Sequence, residues 1–210
     1  RLSPDGRGPR GPGRAMDALC SACAEGDVEA VGRLAESGHA QRQPGSGYVP
    51  LHYAAMARSC GAESTLELLR ARADIAAVTD EQKQAVHIAA EHERGAEALS
   101  VLLAARADPD ARTLAGRTPL HFAAIEGALE AARLLLAARA GVNAANTCGA
   151  LPLHWAAKTG RRPLCDLLVA AKSDLQAVDN LGRTPAEMAA DNGRREAEQV
   201  LRALEAGARA

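Results

Sequence analysis

A seven-residue stretch, Thr118-Pro119-Leu120-His121-Phe122-Ala123-Ala124, recurs along the chain at nearly constant spacing. Its imperfect copies are Val49-Pro50-Leu51-His52-Tyr53-Ala54-Ala55, Gln84-Ala85-Val86-His87-Ile88-Ala89-Ala90, Leu151-Pro152-Leu153-His154-Trp155-Ala156-Ala157 and Thr184-Pro185-Ala186-Glu187-Met188-Ala189-Ala190. The four histidines stand 35, 34 and 33 residues apart, and Glu187 follows His154 by another 33. A chain built this way has no single closed core. Each unit buries its apolar face only against its neighbours, which is the physics of a solenoid.

Within one copy the local signals are those of a helix start. Thr118 is an N-cap candidate, and Pro119 occupies the first helical position, where its missing N–H costs nothing. Gly127 breaks the chain, and a second apolar pattern (Leu129, Ala132, Leu135, Leu136) then predicts another short helix, with Glu130 and Arg133 on its outer side. Residues 112–117 predict a turn tip in which Gly116 takes a conformation other residues resist.

A period near 33 carried by a Thr-Pro-Leu-His motif resembles the ankyrin repeat. The resemblance runs from about Met16 to Gly207 and implies an all-α fold, an ankyrin-repeat α-solenoid of helix-turn-helix units joined by hairpin-like turns. On that reading residues 16–207 form the repeat domain, with repeats near 16–43, 44–77, 78–111, 112–144, 145–177 and 178–207. The terminal repeats are degenerate caps, and residues 208–210 are a tail. The motif residues Pro50, His52, His87, Thr118, Pro119, His121, Pro152, His154, Thr184 and Pro185 are then structural. The resemblance implies that each imidazole bonds turn backbone and braces the stack.

The ends read differently. Eleven of the first fourteen residues are Gly, Pro or Arg, so residues 1–15 are expected to be disordered. Gly6-x-Gly8-x-x-Gly11 matches a dinucleotide-phosphate loop in letters only, since no strand precedes it and no helix start faces it. Asp17 is expected to cap a first helix ending near Glu25, Asp27 to cap a second, and Gly38 to close it. At the other end residues 194–205 carry one apolar stripe (Val200, Leu201, Leu204) and a charged remainder, as a terminal cap requires.

Repeats two and three are longer, with 22 residues from His52 to Asp74 and 21 from His87 to Asp108, against 20 in the next two repeats. The extra residues fall around 57–63 and 91–95, between the paired helices. Four second helices end in Arg72, Arg106, Arg139 and Lys172, where the ankyrin repeat usually has glycine. A cation at a helix C-terminus gains about what a left-handed non-glycine residue costs, so an exposed basic stripe without a strong stability effect is expected.

Composition narrows the function. The net charge is −1, the pI is about 6.7 and aromatic residues are 2% of the chain. This speaks against nucleic-acid binding, which needs a basic field and stacking platforms. No run of eighteen apolar residues predicts a membrane span. Five scattered cysteines (Cys20, Cys23, Cys60, Cys148, Cys165) suit reduced thiols in an intracellular, cytoplasmic setting, with the nucleus open. Cys20-x-x-Cys23 lacks both a second ligand pair and a βαβ context, so it reads as packing. Histidines one repeat apart lie too far from each other to share a metal. His39 and His92 fall outside the motif and read as surface residues. With no nucleophile-and-base set, no phosphate loop and no metalloprotease motif, no catalytic, cofactor or metal site is expected.

What the resemblance implies instead is a protein partner, of unknown identity, held on the concave face of turn tips and first-helix flanks by a monomer. Carried over position by position, that face comprises Tyr48, Asp80, Glu81, Lys83, Glu91, His92, Arg112, Leu114, Arg117, Ile125, Glu126, Lys158, Thr159, Arg183, Asp191 and Asn192, with Val78, Thr147, Asn180 and Leu181 beside them. It is acidic around repeat three and basic around repeats four and five. Tyr53, Phe122 and Trp155, which follow the motif histidines, read as core. The chain opens on Arg1 rather than methionine, which leaves two readings: initiation at Met16, or a targeting or regulatory ankyrin region of a larger enzyme or channel.

Overall fold

A computed structural model of the chain describes residues 12–35, 47–57 and 60–207. These residues include twelve α-helices in six consecutive pairs, joined by turns, with no strand among them. The chain divides into two compact units, Arg1–Ala89 with Glu97–Ala107, and Ala90–Ala96 with Asp108–Ala210.

The first unit holds α1 (Pro12–Glu25), α2 (Val28–Leu34), α3 (Pro50–Met56), α4 (Gly61–Arg70) and most of α5 (Ala85–Ala90) and α6 (Ala96–Ala104). α1 packs on α2 and α3 on α4, while α1 lies against α3 and α2 against α4. This is hairpin stacked on hairpin. Leu19, Leu51, Leu68, Leu99 and Leu102 are fully buried.

α1 ends at Glu25 as expected but begins at Pro12, well before Asp17. Proline is tolerated in a first turn, and the Ala-Met run after Arg14 favours helix, so no cap at Asp17 is required. The segment expected to be disordered over residues 1–15 is therefore helical from Pro12, and its phosphate-loop pattern lies outside the described residues. Asp27 caps α2, accepting from the Ala30 N–H at 3.0 Å. Gly38 and His39 lie outside the described residues.

The second unit holds α7 (Pro119–Glu126), α8 (Leu129–Ala137), α9 (Pro152–Thr159), α10 (Arg162–Ala170), α11 (Pro185–Asp191) and α12 (Arg195–Gly207). First helices stack on first helices (α7 on α9 on α11), and second on second (α8 on α10 on α12). Ala123, Ala124, Ala156, Ala157 and Ala189 are fully buried along the first-helix row, where small side chains let helices approach closely. Leu120, Leu135, Leu153, Leu164, Leu168 and Leu201 fill the space toward the second row. Emptying one such site costs about 2–5 kcal/mol.

Two details differ from the pattern predicted from sequence. On α8 the buried face is Ala131, Ala132 and Leu135, with Leu129 and Leu136 only half-buried. On α12 Ala197 and Leu201 are buried, while Leu204 is exposed. Short side chains win the innermost positions because the facing helix is close.

The second helices end as their sequence suggests. Arg72, Arg106, Arg139 and Lys172 are exposed and left-handed, with φ of 61°, 68°, 66° and 66°. Each of these turns is closed by two backbone bonds; at Arg139 the residue's own N–H donates to Leu136 O at 3.0 Å, and the Ala140 N–H reaches back to Leu135 O at 2.9 Å. In repeat three the extra residues between α5 and α6 form a 3₁₀ turn, Glu93–Gly95.

Candidate functional site

The helix starts are held by histidine rather than by the threonine hydroxyl. The N–H at the cap position donates to Nδ1 of the residue three further on: Val49 to His52 at 3.0 Å, Gln84 to His87 at 3.0 Å, Thr118 to His121 at 3.1 Å and Leu151 to His154 at 3.1 Å. With Nδ1 accepting, the proton resides on Nε2. Nε2 then donates across to the next turn, from His52 to Ala77 O at 3.1 Å, His121 to Ala150 O at 3.0 Å and His154 to Arg183 O at 3.0 Å. Burial pushes His52 and His121 down to about 4 and lowers His154 as well, because an imidazolium there would lose both water and its accepting nitrogen.

Thr118 occupies the cap position, and its hydroxyl bonds the His121 ring rather than a backbone N–H, with Oγ1 2.9 Å from Nδ1. Leu151 therefore forgoes a hydroxyl–imidazole contact, not a cap. In repeat six a carboxylate completes the reciprocal box: the Glu187 N–H donates to Thr184 Oγ1 at 3.3 Å, and the Thr184 N–H to Glu187 Oε2 at 2.8 Å.

These helix starts position a row of turn tips. Gly116 has φ +66° and Gly149 φ +73°, and a Cβ on them would stand 3.0 Å from Thr147 N and 2.5 Å from Asn180 Oδ1. Without side chains there, successive tips close on each other. The Thr147 N–H and hydroxyl both donate to Ala115 O at 3.1 and 3.0 Å, and the Asn180 N–H donates to Cys148 O at 2.9 Å. Arg112 Nη1 joins the same row, donating to Ala145 O at 2.8 Å.

The residues assigned to the binding face divide into those engaged within the chain and those open to solvent. In the first unit, Tyr48 lies edge-on to His52 and tilted on Tyr53, Asp80 and Glu81 are exposed, and Lys83 pairs with Glu81 at 3.3 Å. In the second, Glu91 is half-buried and His92 exposed. Leu114 and Leu181 project from tips at 64% and 75% exposure. Ile125 is half-buried, and Glu126, Asp191 and Asn192 are exposed at the ends of α7 and α11. Thr159 bonds Trp155 O at 2.9 Å, and Asn192 bonds Met188 O at 2.8 Å. Arg112 is a strut between repeats, engaged by backbone carbonyls of its own tip and of the next.

Trp155 reads from the sequence as core beside Phe122, which is buried, yet it is only partly buried, as is Tyr53. The Arg117 guanidinium and the Lys158 ammonium each sit 4.8 Å from its ring centroid. Trp155 and Lys158 are three apart on one helix and so share a face, a signal present in the sequence. The approach of Arg117 from the preceding repeat is not.

Each motif histidine has Nδ1 bound to backbone, and no group of three or more His, Cys, Asp or Glu among the described residues could hold a metal ion. Cys20, Cys23 and Cys165 are buried free thiols. Burial pushes them up to about 11, about 12 and about 12, the opposite of what a nucleophile or zinc ligand needs. No helix among the described residues is long and apolar enough to cross a membrane.

Comparison with curated proteins returned no match. Family models do match: one described as ankyrin repeats (3 copies) covers residues 55–146 and 138–209, and one described as ankyrin repeats (many copies) covers residues 19–70. With most of its length matched and its helices paired and stacked as above, the chain belongs to the ankyrin-repeat family.

Proposed function

We propose that this chain is a non-catalytic interaction module that holds a partner protein on the face made by its turn tips and the exposed flanks of its first helices, the concave face of an ankyrin stack. Ankyrin repeats are generally protein–protein interaction modules. The observation that carries the reading to this face is the pair Leu114 and Leu181, large apolar side chains at 64% and 75% exposure on tips of one unit. The apolar side chains that stack the helices are buried, so these two have no structural task. Exposed free thiols at Cys60 and Cys148 suit a reducing compartment, and the chain is taken to act as a monomer in the cytoplasm.

Affinity capture from source-cell extract tests this. Leu114→Asp combined with Leu181→Asp should lose the specific partner, whereas Arg139→Glu, at the far end of a second helix, should retain it. Equal capture by all three proteins would remove this face from consideration.

A further inference from the structure

The turn tips of the second unit contain an internal comparison. Positions 113, 146 and 179 are equivalent, as are 117, 150 and 183, each 33 residues apart. In repeat six the pair is Asp179 and Arg183. Asp179 Oδ1 accepts the Arg183 N–H at 2.9 Å, and its Oδ2 accepts Arg183 Nε and Nη2 at 3.0 and 2.7 Å. Arg183 also reaches Asp191 at 3.5 Å. That arginine is neutralised where it stands.

In repeat four the pair is Thr113 and Arg117. Thr113 Oγ1 accepts the Arg117 N–H at 3.2 Å, the same backbone bond in the same place. Threonine has no second oxygen, and Arg117 Nε is buried without an acceptor. The guanidinium lies on the Trp155 ring, which also carries Lys158 on its face. Neither cation forms an ion pair with a carboxylate of the described residues. Two like charges thus share one ring within about a Debye length, roughly 8–10 Å, where repeat six has a carboxylate and repeat four has none.

We propose that Arg117, Trp155 and Lys158 form a recognition point for a carboxylate side chain in an acidic segment of the partner protein. The inference rests on the binding-face reading above and names the chemistry of its ligand. An incoming carboxylate meets the terminal guanidinium nitrogens of Arg117 from solvent, since Nε is buried, and neutralises the charge that Asp179 neutralises from within the chain at Arg183. It relieves the repulsion between the two cations and gains charge-assisted bonds from a forked donor and a point charge. A phosphate backbone is the competing anion, and the titration below separates the two.

Trp155 is the chain's single tryptophan, so its fluorescence reports this point alone. The full chain is titrated at low ionic strength with octaglutamate, octaglutamine and an eight-residue thymidine oligonucleotide. Octaglutamate should give a saturable change that weakens with added salt, and the other two should not. Half-saturation should rise at least tenfold in Lys158→Gln. Thr113→Asp supplies the missing carboxylate internally, in a position as buried as Asp179, and should abolish the response with the fold intact by circular dichroism. Arg139→Gln should titrate like the parent. No response to octaglutamate, an undiminished response in Lys158→Gln or in folded Thr113→Asp, or an equal response to the oligonucleotide would each overturn the proposal. Such a failure, with capture still sensitive to Leu114 and Leu181, would leave the binding-face reading standing.

Discussion

His121 Nε2 lies 3.0 Å from the carbonyl oxygen of Ala150, 29 residues along the chain, while Nδ1 of the same ring accepts the Thr118 N–H at 3.1 Å. One imidazole therefore closes the start of its own helix and ties it to the next repeat. Both bonds require the neutral ring with its proton on Nε2, since protonation of Nδ1 would set a donor against a donor.

Acid should therefore loosen the stack well before the carboxylates titrate. Histidine titrates near 6.5 when unfolded, and burial lowers His52 and His121 to about 4 in the fold. Between these values the unfolded chain binds more protons, so stability is fully present above about pH 6.5 and falls as pH drops toward 4. Each of the two rings contributes a slope of about 1.4 kcal/mol per pH unit within that window. The urea midpoint should drop clearly between pH 7 and pH 5, and His121→Gln should be less stable at pH 7 but show a shallower pH slope. A flat midpoint across that range would contradict buried, neutral rings at these positions.

Thiol labelling separates the five cysteines by environment. Cys60 and Cys148 are exposed, whereas Cys20, Cys23 and Cys165 are buried with their thiols pushed well above the working range. At pH 8 a thiol reagent should modify Cys60 and Cys148 quickly and the other three only in denaturant. Rapid modification of Cys20 or Cys23 in the native chain would show that α1 does not pack as described.

The left-handed helix ends offer a test of compensation. Arg139 has φ 66°, a conformation that costs a side chain about 1 kcal/mol, offset by the cation's position at the end of α8. Arg139→Gly removes the strain, loses the charge and loosens the unfolded chain, and should change stability by less than about 0.5 kcal/mol. Arg139→Val keeps the strain in a β-branched residue and should cost more than about 1 kcal/mol. Chemical denaturation of the two variants distinguishes them, and equal effects would show that backbone strain is not what the position resists.

Helix starts were readable because their causes lie within four residues. Pro50, Pro119, Pro152 and Pro185 stand where a first turn lacks N–H acceptors, and a histidine or glutamate follows at the reach of one side chain. The start of α1 was not readable, because nothing local distinguishes Pro12 from the other prolines of a Gly/Pro/Arg stretch. The buried face of α8 was misread toward Leu129 and Leu136, since hydrophobicity alone cannot say how close a neighbouring helix comes. Among the assigned binding residues, exposure at Leu114 follows from its place on a tip, whereas the engagement of Arg112 by Ala145 depends on the next repeat.

By itself the sequence determined the period, the pairing of helices and the residue at each helix start, because repetition and capping act over short stretches of chain. Folding alone decided that Trp155 would carry Arg117, 38 positions before it, on a partly buried ring. The reason is physical: charge is settled by what stands within a few ångströms in space, and stacking one hairpin on another is what brings those two residues together.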